Sequence, residues 1–123
     1  MPIELNHTIV HARDKQAGAA FLGHILDVPV GDQWGPFVPV PVGGVTFDYM
    51  DDEDDFTPQH YAFLLDDGDF DAALERLADG GIQIWADPHL TEPDVINRHY
   101  GGRGLYFKDP DGHLLELITA PYA

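Results

Sequence analysis

One order of predicted elements occurs twice in the chain: a strand, a helix that begins at an aspartate, and then further strands. Residues 5–11 (LNHTIVH) and 59–65 (QHYAFLL) are rich in β-branched or aromatic residues, which predicts the two opening strands. Asp14 and Asp69 are residue types that favour a helix start, and each precedes apolar residues at helical spacing. The repeat therefore limits the chain to folds that contain two copies of one small unit.

Each copy is expected to end in further strands. VTFDYM (45–50) and IQIWA (82–86) have strand composition, and GLYFK and HLLELIT predict a hairpin across residues 109–112 (DPDG). Proline suits the first position of that turn, and glycine suits a left-handed one. We expect one α+β domain of two βαβββ modules, at approximately 1–55 and 56–123. The modules would form an open, cup-shaped mixed sheet with the helices on its outer face.

The composition excludes several classes of site and partner. The chain has no cysteine, so disulfides and thiolate ligands are excluded, and any metal would be held by His, carboxylate or Tyr. Lys and Arg number 6 against 22 Asp and Glu, and a formal charge of -16 repels nucleic acids and anionic membranes. No apolar run approaches the length of a membrane span. We therefore expect a cytoplasmic protein with no nucleic-acid or membrane partner.

A glutamate, Glu116, stands in the middle of the apolar stretch HLLELIT. A buried carboxylate without a partner is costly, so we expect a cation, another partner or a metal ion beside it. His7 and His60 hold the same place in the two opening strands, and two imidazoles with one carboxylate are a ligand set of non-haem Fe(II) enzymes. Taken singly, either histidine is better explained as a hydrogen-bonded residue of the core or rim. The three matched positions together favour a metal site.

The whole chain resembles the vicinal oxygen chelate superfamily, which includes glyoxalase I, the bleomycin-resistance proteins and the type I extradiol dioxygenases. The paired modules and the motifs LNHTIV, QHYAFLL and DPDGHLLELIT carry this resemblance. It implies that His7, His60 and Glu116 are metal ligands. It also implies a small-molecule substrate or ligand and a homodimer.

A longer signature is similar to that of the extradiol ring-cleaving enzymes. It runs through Asn97-Arg98-His99, Tyr106, Asp109-Pro110, Gly112 and Glu116 at matching spacing. The resemblance implies that His99 is an acid/base beside the metal ligands and that Tyr106 hydrogen-bonds substrate or oxygen. The function that it implies is a metal-dependent, extradiol-dioxygenase-like enzyme acting on a small aromatic or vicinal-diol compound. Fe(II) is the favoured metal, with Mn, Ni or Zn as alternatives.

Two other functions within this superfamily stay open. A glyoxalase-like isomerase or lyase on Ni or Zn uses four protein ligands, which requires Asp48, the counterpart of Glu116 in the first copy, to bind the metal. Asp48 is equally consistent with a solvated residue at a strand end. A resistance protein of the same fold would bind an antibiotic without catalysis. Such proteins commonly lack the three ligands, so the presence of His7, His60 and Glu116 counts against sequestration.

Overall fold

The computed structural model describes residues 2–122, which form two helices and two mixed β-sheets, and it confirms an α+β fold of two modules. The chain divides into two compact units, one ending at Thr57 and the other beginning at Pro58. The first unit contains β1 (His7–Ala12), α1 (Lys15–Leu26), β2 (Phe37–Val42) and β3 (Val45–Asp51). The second contains β4 (His60–Leu64), α2 (Asp67–Asp79), β5 (Ile84–Trp85), a 3-10 turn (His99–Gly101), β6 (Gly104–Lys108) and β7 (Leu114–Ile118). No helix within residues 2–122 is long and apolar enough to cross a membrane.

The first unit is a three-stranded sheet with α1 packed on it. The strand order is β1-β3-β2, with β1 parallel and β2 antiparallel to β3. The predicted start of α1 is confirmed, because Oδ1 of Asp14 accepts the backbone N–H groups of Gln16 and Ala17 at 3.0 and 3.2 Å. Gly18 lets the helix approach β3, since a Cβ there would lie 2.9 Å from the ring of Tyr49.

The first unit has three strands rather than the four of a full βαβββ module. Residues 28–33 form no strand, and the chain pairs again only at the isolated bridge between Trp34 and Phe37. Pro29 lies in this segment and Pro36 follows it, and neither has an N–H to donate to a ladder. It is tied to β2 instead by single bonds, such as Gly31 N–H to a β2 carbonyl at 2.8 Å.

The second unit is a four-stranded sheet in the order β4-β7-β6-β5, with β4 parallel to β7 and the other pairs antiparallel. The predicted hairpin between β6 and β7 is present, and Gly112 adopts φ +84° in its turn. The prediction that Asp69 caps α2 is wrong. Asp66 is the cap, and its Oδ1 accepts the backbone N–H of Asp69 at 2.7 Å. Several consecutive acidic residues suit a helix start here, and sequence alone does not choose among them.

Arg103 fixes the start of α2 against the beginning of β6. Its guanidinium donates to Oδ1 of Asp67 at 3.0 Å and to Oδ1 of Asp71 at 2.6 Å. It also lies over the ring of Phe70, 4.6 Å from the centroid. These contacts give Arg103 a structural role in joining the helix to the sheet.

Candidate metal centre

The second unit brings His60 and Glu116 into direct contact. Because β4 and β7 are parallel, His60 pairs with Leu114 and Ala62 pairs with Glu116, so the two side chains lie on one face of adjacent strands. Nε2 of His60 lies 3.0 Å from Oε1 of Glu116. The parallel register thus explains why residues 56 positions apart form a pair.

The hydrogen bonds of His60 determine which atom faces the carboxylate. Nδ1 lies 2.9 Å from the carbonyl oxygen of Leu114, and a carbonyl only accepts, so Nδ1 carries a proton. When the imidazole is neutral, Nε2 therefore presents a lone pair to a carboxylate oxygen that also presents lone pairs. A shared proton or a cation resolves this repulsion, and metal-bound histidines commonly donate their other N–H to a backbone carbonyl in this way. The donor set fits a divalent metal ion.

Burial differs sharply across the pair. The side chain of Glu116 is 2% exposed, whereas that of His60 is 48% exposed. The carboxylate is therefore at the base of the site and the imidazole at its rim. A charge buried to this extent requires compensation, and its location beside an accessible imidazole leaves an approach from solvent.

Tyr106 lies next to this pair on β6, where it is the cross-strand partner of Glu116. Its ring stacks 6.1 Å from that of His60, measured between centroids. Burial first, and then the hydrogen bond and charge of Glu116, raise the pKa of Tyr106 to about 12. The phenol is therefore a neutral hydrogen-bond donor at physiological pH. Its oxygen lies 3.2 Å from the hydroxyl oxygen of Tyr122.

Tyr122 is a site residue that the sequence did not indicate. Its hydroxyl donates a hydrogen bond to Oε2 of Glu116, and its ring lies 4.9 Å from that of Tyr100. The residue is half exposed and follows the last strand in the short stretch APYA. Neither periodicity nor a motif distinguishes it, because its contact with Glu116 depends on the path of the chain after β7.

The loop before β6 carries His99, which is exposed in the 3-10 turn. Asn97 anchors this loop: its backbone pairs with Gly104, and its side-chain amide donates to the carbonyl of Ala86 at 2.9 Å. Tyr100, which follows His99, adopts φ +55°, an uncommon conformation for an aromatic residue. The loop is thus held at a defined place, and the acid/base role of His99 stays a prediction.

The first unit repeats the register of the second. His7 pairs with Thr46, and Asp48 lies two residues after Thr46 on β3. In the same way, His60 pairs with Leu114, and Glu116 lies two residues after Leu114 on β7. Nδ1 of His7 lies 2.8 Å from Oδ1 of Asn6, which leaves Nε2 as the lone-pair atom of the neutral ring.

Asp48 is 3% exposed, which corrects the alternative of a solvated residue at the strand end. Its Oδ1 has no hydrogen-bond partner among residues 2–122. The side chain borders a cavity of about 400 Å³ that is also lined by His7, Thr46, Trp34, Asn6 and Pro39. A buried oxygen without a partner beside an imidazole is a further potential ligand.

The structure therefore brings together His60, Glu116 and Tyr106 in one unit, and His7 and Asp48 around a cavity in the other. Over residues 2–122, neither unit by itself gathers three His, Asp or Glu side chains that could hold an ion. His7 as the third ligand stays a prediction.

Comparisons with known proteins agree on one family. The Glyoxalase/Bleomycin resistance protein/Dioxygenase superfamily matches residues 4–117. The structure of oxidase ChaP-H2 is similar, with a TM-score of 0.98 and 51% identity, covering 100% of this chain and 98% of that one. Oxidase ChaP-H1 has a TM-score of 0.96 and 47% identity, covering 99% of each chain. Glutathione transferase FosA of Serratia marcescens is 30% identical over 126 residues, covering 97% of this chain and 82% of the relative.

Proposed function

Since the chain belongs to the glyoxalase/bleomycin resistance protein/dioxygenase superfamily, we propose that it is a metal-dependent oxidase acting with molecular oxygen on a small hydroxylated aromatic compound. The observation that carries the proposal is the contact of Nε2 of His60 with Oε1 of Glu116, 3.0 Å apart, where both atoms present lone pairs when the imidazole is neutral. Similarity to two oxidases over nearly the whole chain supports oxygen chemistry. The extradiol type of cleavage is the finer form of this proposal.

The proposed ligands are His7, His60 and Glu116, with Fe(II) as the favoured metal. When bound, the metal would supply a Lewis-acidic, redox-active centre. Two nitrogen donors and one carboxylate suit Fe(II), and the chain has no thiolate to select a softer ion. In both histidines Nδ1 already donates to an oxygen acceptor, which orients Nε2 for coordination.

Two further residues would handle protons at the substrate. Tyr106, whose raised pKa keeps it protonated, would donate a hydrogen bond to a substrate oxygen. His99 would accept a hydroxyl proton from the substrate and return it later, since an imidazole nitrogen can both accept and donate a proton. Asn97 would hold the loop that carries this histidine.

The proposed substrate class rests on the cavity of the first unit. Trp34 lines that cavity together with His7, and its side chain is 56% exposed, so it is not a core residue. Its ring also lies 5.0 Å from that of Phe37, which fixes an aromatic surface beside the imidazole. The formal charge of -16 disfavours strongly anionic substrates.

The test is anaerobic loading with Fe(II), followed by a panel of catechols and other phenols under air in an oxygen electrode. We expect the wild type to retain Fe(II) and to consume oxygen with at least one compound. The His60→Ala variant should lose both properties, and the His24→Ala variant, which removes an exposed histidine of α1, should keep them. A wild type that retains no Fe(II), or that consumes no oxygen with the whole panel, would contradict the proposal.

A glyoxalase-like isomerase on Ni or Zn is the second candidate, and the buried oxygen of Asp48 without a partner favours it. Such an enzyme would need Asp48 as a fourth ligand. Retained metal and retained oxygen consumption in an Asp48→Ala variant would argue against it.

Glutathione transfer is a third candidate, because FosA is 30% identical over 97% of the chain. Incubation of the metal-loaded protein with glutathione and a panel of small electrophiles tests this activity. Loss of free thiol without consumption of oxygen would favour the transferase over the oxidase.

A further inference from the structure

Tyr122 and His60 contact different oxygens of Glu116. Tyr122 donates its phenol proton to Oε2 of Glu116. The hydroxyl oxygen of Tyr122 also lies 3.2 Å from that of Tyr106. Oε2 is thereby occupied by a protein donor, and Oε1 alone faces His60.

The segment that carries Tyr122 is held in place as it leaves β7. The backbone N–H of Thr119 donates to the carbonyl of Arg103 at 2.9 Å, and Oγ1 of Thr119 accepts the backbone N–H of Arg103 at 2.8 Å. Gly102 allows this close approach, since a Cβ there would lie 2.7 Å from that of Ala120. The position of Tyr122 is therefore set by the sheet and by the contact of its ring with Tyr100.

We propose that Tyr122 is a positioning residue whose hydroxyl holds Oε2 of Glu116, so that only Oε1 is presented to a cation beside His60. The inference rests on the proposed function, because it concerns the geometry of the proposed metal ligand. Glu116 is 2% exposed, so water cannot readily replace a lost donor at Oε2. Without Tyr122 the carboxylate would be free to turn, which would change how its two oxygens are presented to a cation beside His60.

The test compares Tyr122→Phe with wild type and with Tyr100→Phe, using anaerobic Fe(II) alone as the probe. Tyr122→Phe keeps the ring and removes only the hydroxyl, whereas Tyr100→Phe removes a hydroxyl from the neighbouring ring of the same stack. Affinity is measured by competition with a chromogenic chelator, and coordination by the near-infrared ligand-field bands of bound Fe(II). Thermal unfolding of the metal-free proteins reports on stability separately.

We expect Tyr122→Phe to weaken Fe(II) binding about tenfold, as is typical when a partner of a metal ligand is removed. The ligand-field bands should shift in this variant, while Tyr100→Phe should match wild type in both measurements. Unchanged affinity and bands in Tyr122→Phe would overturn the role of Tyr122 and leave the proposed function intact. Equal weakening in both variants would also overturn it, because the effect would then not be specific to the hydroxyl that contacts Glu116. Failure of the wild type to bind Fe(II) would overturn both proposals.

Discussion

Nε2 of His60 and Oε1 of Glu116 lie 3.0 Å apart, and in the metal-free protein with a neutral imidazole both atoms are hydrogen-bond acceptors. The Nδ1 proton is committed to a backbone carbonyl, so the imidazole cannot relieve the contact by changing its tautomer. The pair is therefore better suited to bind a cation than to stabilise the empty protein. This conflict leads to the first prediction.

A Glu116→Gln variant should stabilise the metal-free protein and abolish metal binding. The amide can donate its NH₂ group to Nε2 of His60 and accept from Tyr122, so every contact gains a matched donor and acceptor. We expect the free energy of unfolding at pH 8.5 to rise by about 1 kcal/mol, measured by urea denaturation. Glu75→Gln, at an exposed position of α2, should leave both properties unchanged. A destabilised Glu116→Gln variant that still binds Fe(II) would contradict the prediction.

A His7→Ala variant should weaken Fe(II) binding at least about tenfold if His7 is the third ligand. The reason is that a carboxylate and one imidazole alone hold the ion less tightly than three donors do. Chelator competition under anaerobic conditions measures the effect. His24→Ala, which removes an exposed histidine from the same unit, is the matched control. Equal affinities in the two variants would remove His7 from the ligand set.

The raised pKa of Tyr106 has a consequence for stability at high pH. Because the folded chain binds this proton more tightly than the unfolded chain, the free energy of unfolding should fall as pH rises from about 10 to about 12. Below pH 10 the contribution should be fully present. Absorbance at 295 nm in the wild type should contain a late ionisation step with a midpoint near pH 12 that is missing in Tyr106→Phe. A midpoint near 10 for that step would contradict the burial of a protonated phenol.

Asp109, in the turn between β6 and β7, should limit stability near neutral pH. Its Oδ1 accepts the backbone N–H groups of Asp111 and His113 at 2.9 Å, while Oδ2 is buried without a partner among residues 2–122. Burial raises the pKa of Asp109, against the lowering effect of the nearby His113. The wild type should therefore lose stability as pH rises through that raised pKa.

An Asp109→Asn variant should keep the Oδ1 contacts and remove the buried charge. We expect it to be more stable than wild type by about 1 kcal/mol at pH 7, with the gain vanishing near pH 3, where Asp109 is protonated. Urea denaturation at both values of pH measures the difference. Asp32→Asn, in an exposed loop, should show no such change. A gain that is the same at both values of pH would point to a cause other than charge.

Much of the fold was predictable because it depends on local patterns. The alternation of residues 5–11, the helix start at Asp14 and the turn at 109–112 are each determined by neighbouring residues. The start of α2 was missed because adjacent aspartates at 66, 67 and 69 are chemically equivalent candidates. The absence of a strand at residues 28–33 could not be predicted from their proline content, because β2 also contains prolines and is nevertheless a strand.

The candidate site was predictable where a strand face defined it and not elsewhere. The expectation that Glu116 has a partner is confirmed, since His60 and Tyr122 both contact its carboxylate. Tyr122 lies outside any repeating pattern, so its contact depends on the path of the chain after β7. The burial of Asp48 likewise depends on packing. Alternation along β3 predicts which residues share a face with Asp48, but it does not predict which face of the sheet is buried.

The close approach of Gly18 to the ring of Tyr49 makes the residue tolerated at position 18 depend on the size of the residue at position 49. A side chain at 18 would collide with the aromatic ring at a distance of 2.9 Å, so α1 could accept one only if position 49 became smaller at the same time. A descendant of this chain could therefore gain a side chain at position 18 only together with a smaller residue at position 49. A side chain gained at 18 alone would lift the helix from β3, the strand that carries Asp48 and pairs with His7 of β1, and the ligand geometry would change without any mutation of a ligand.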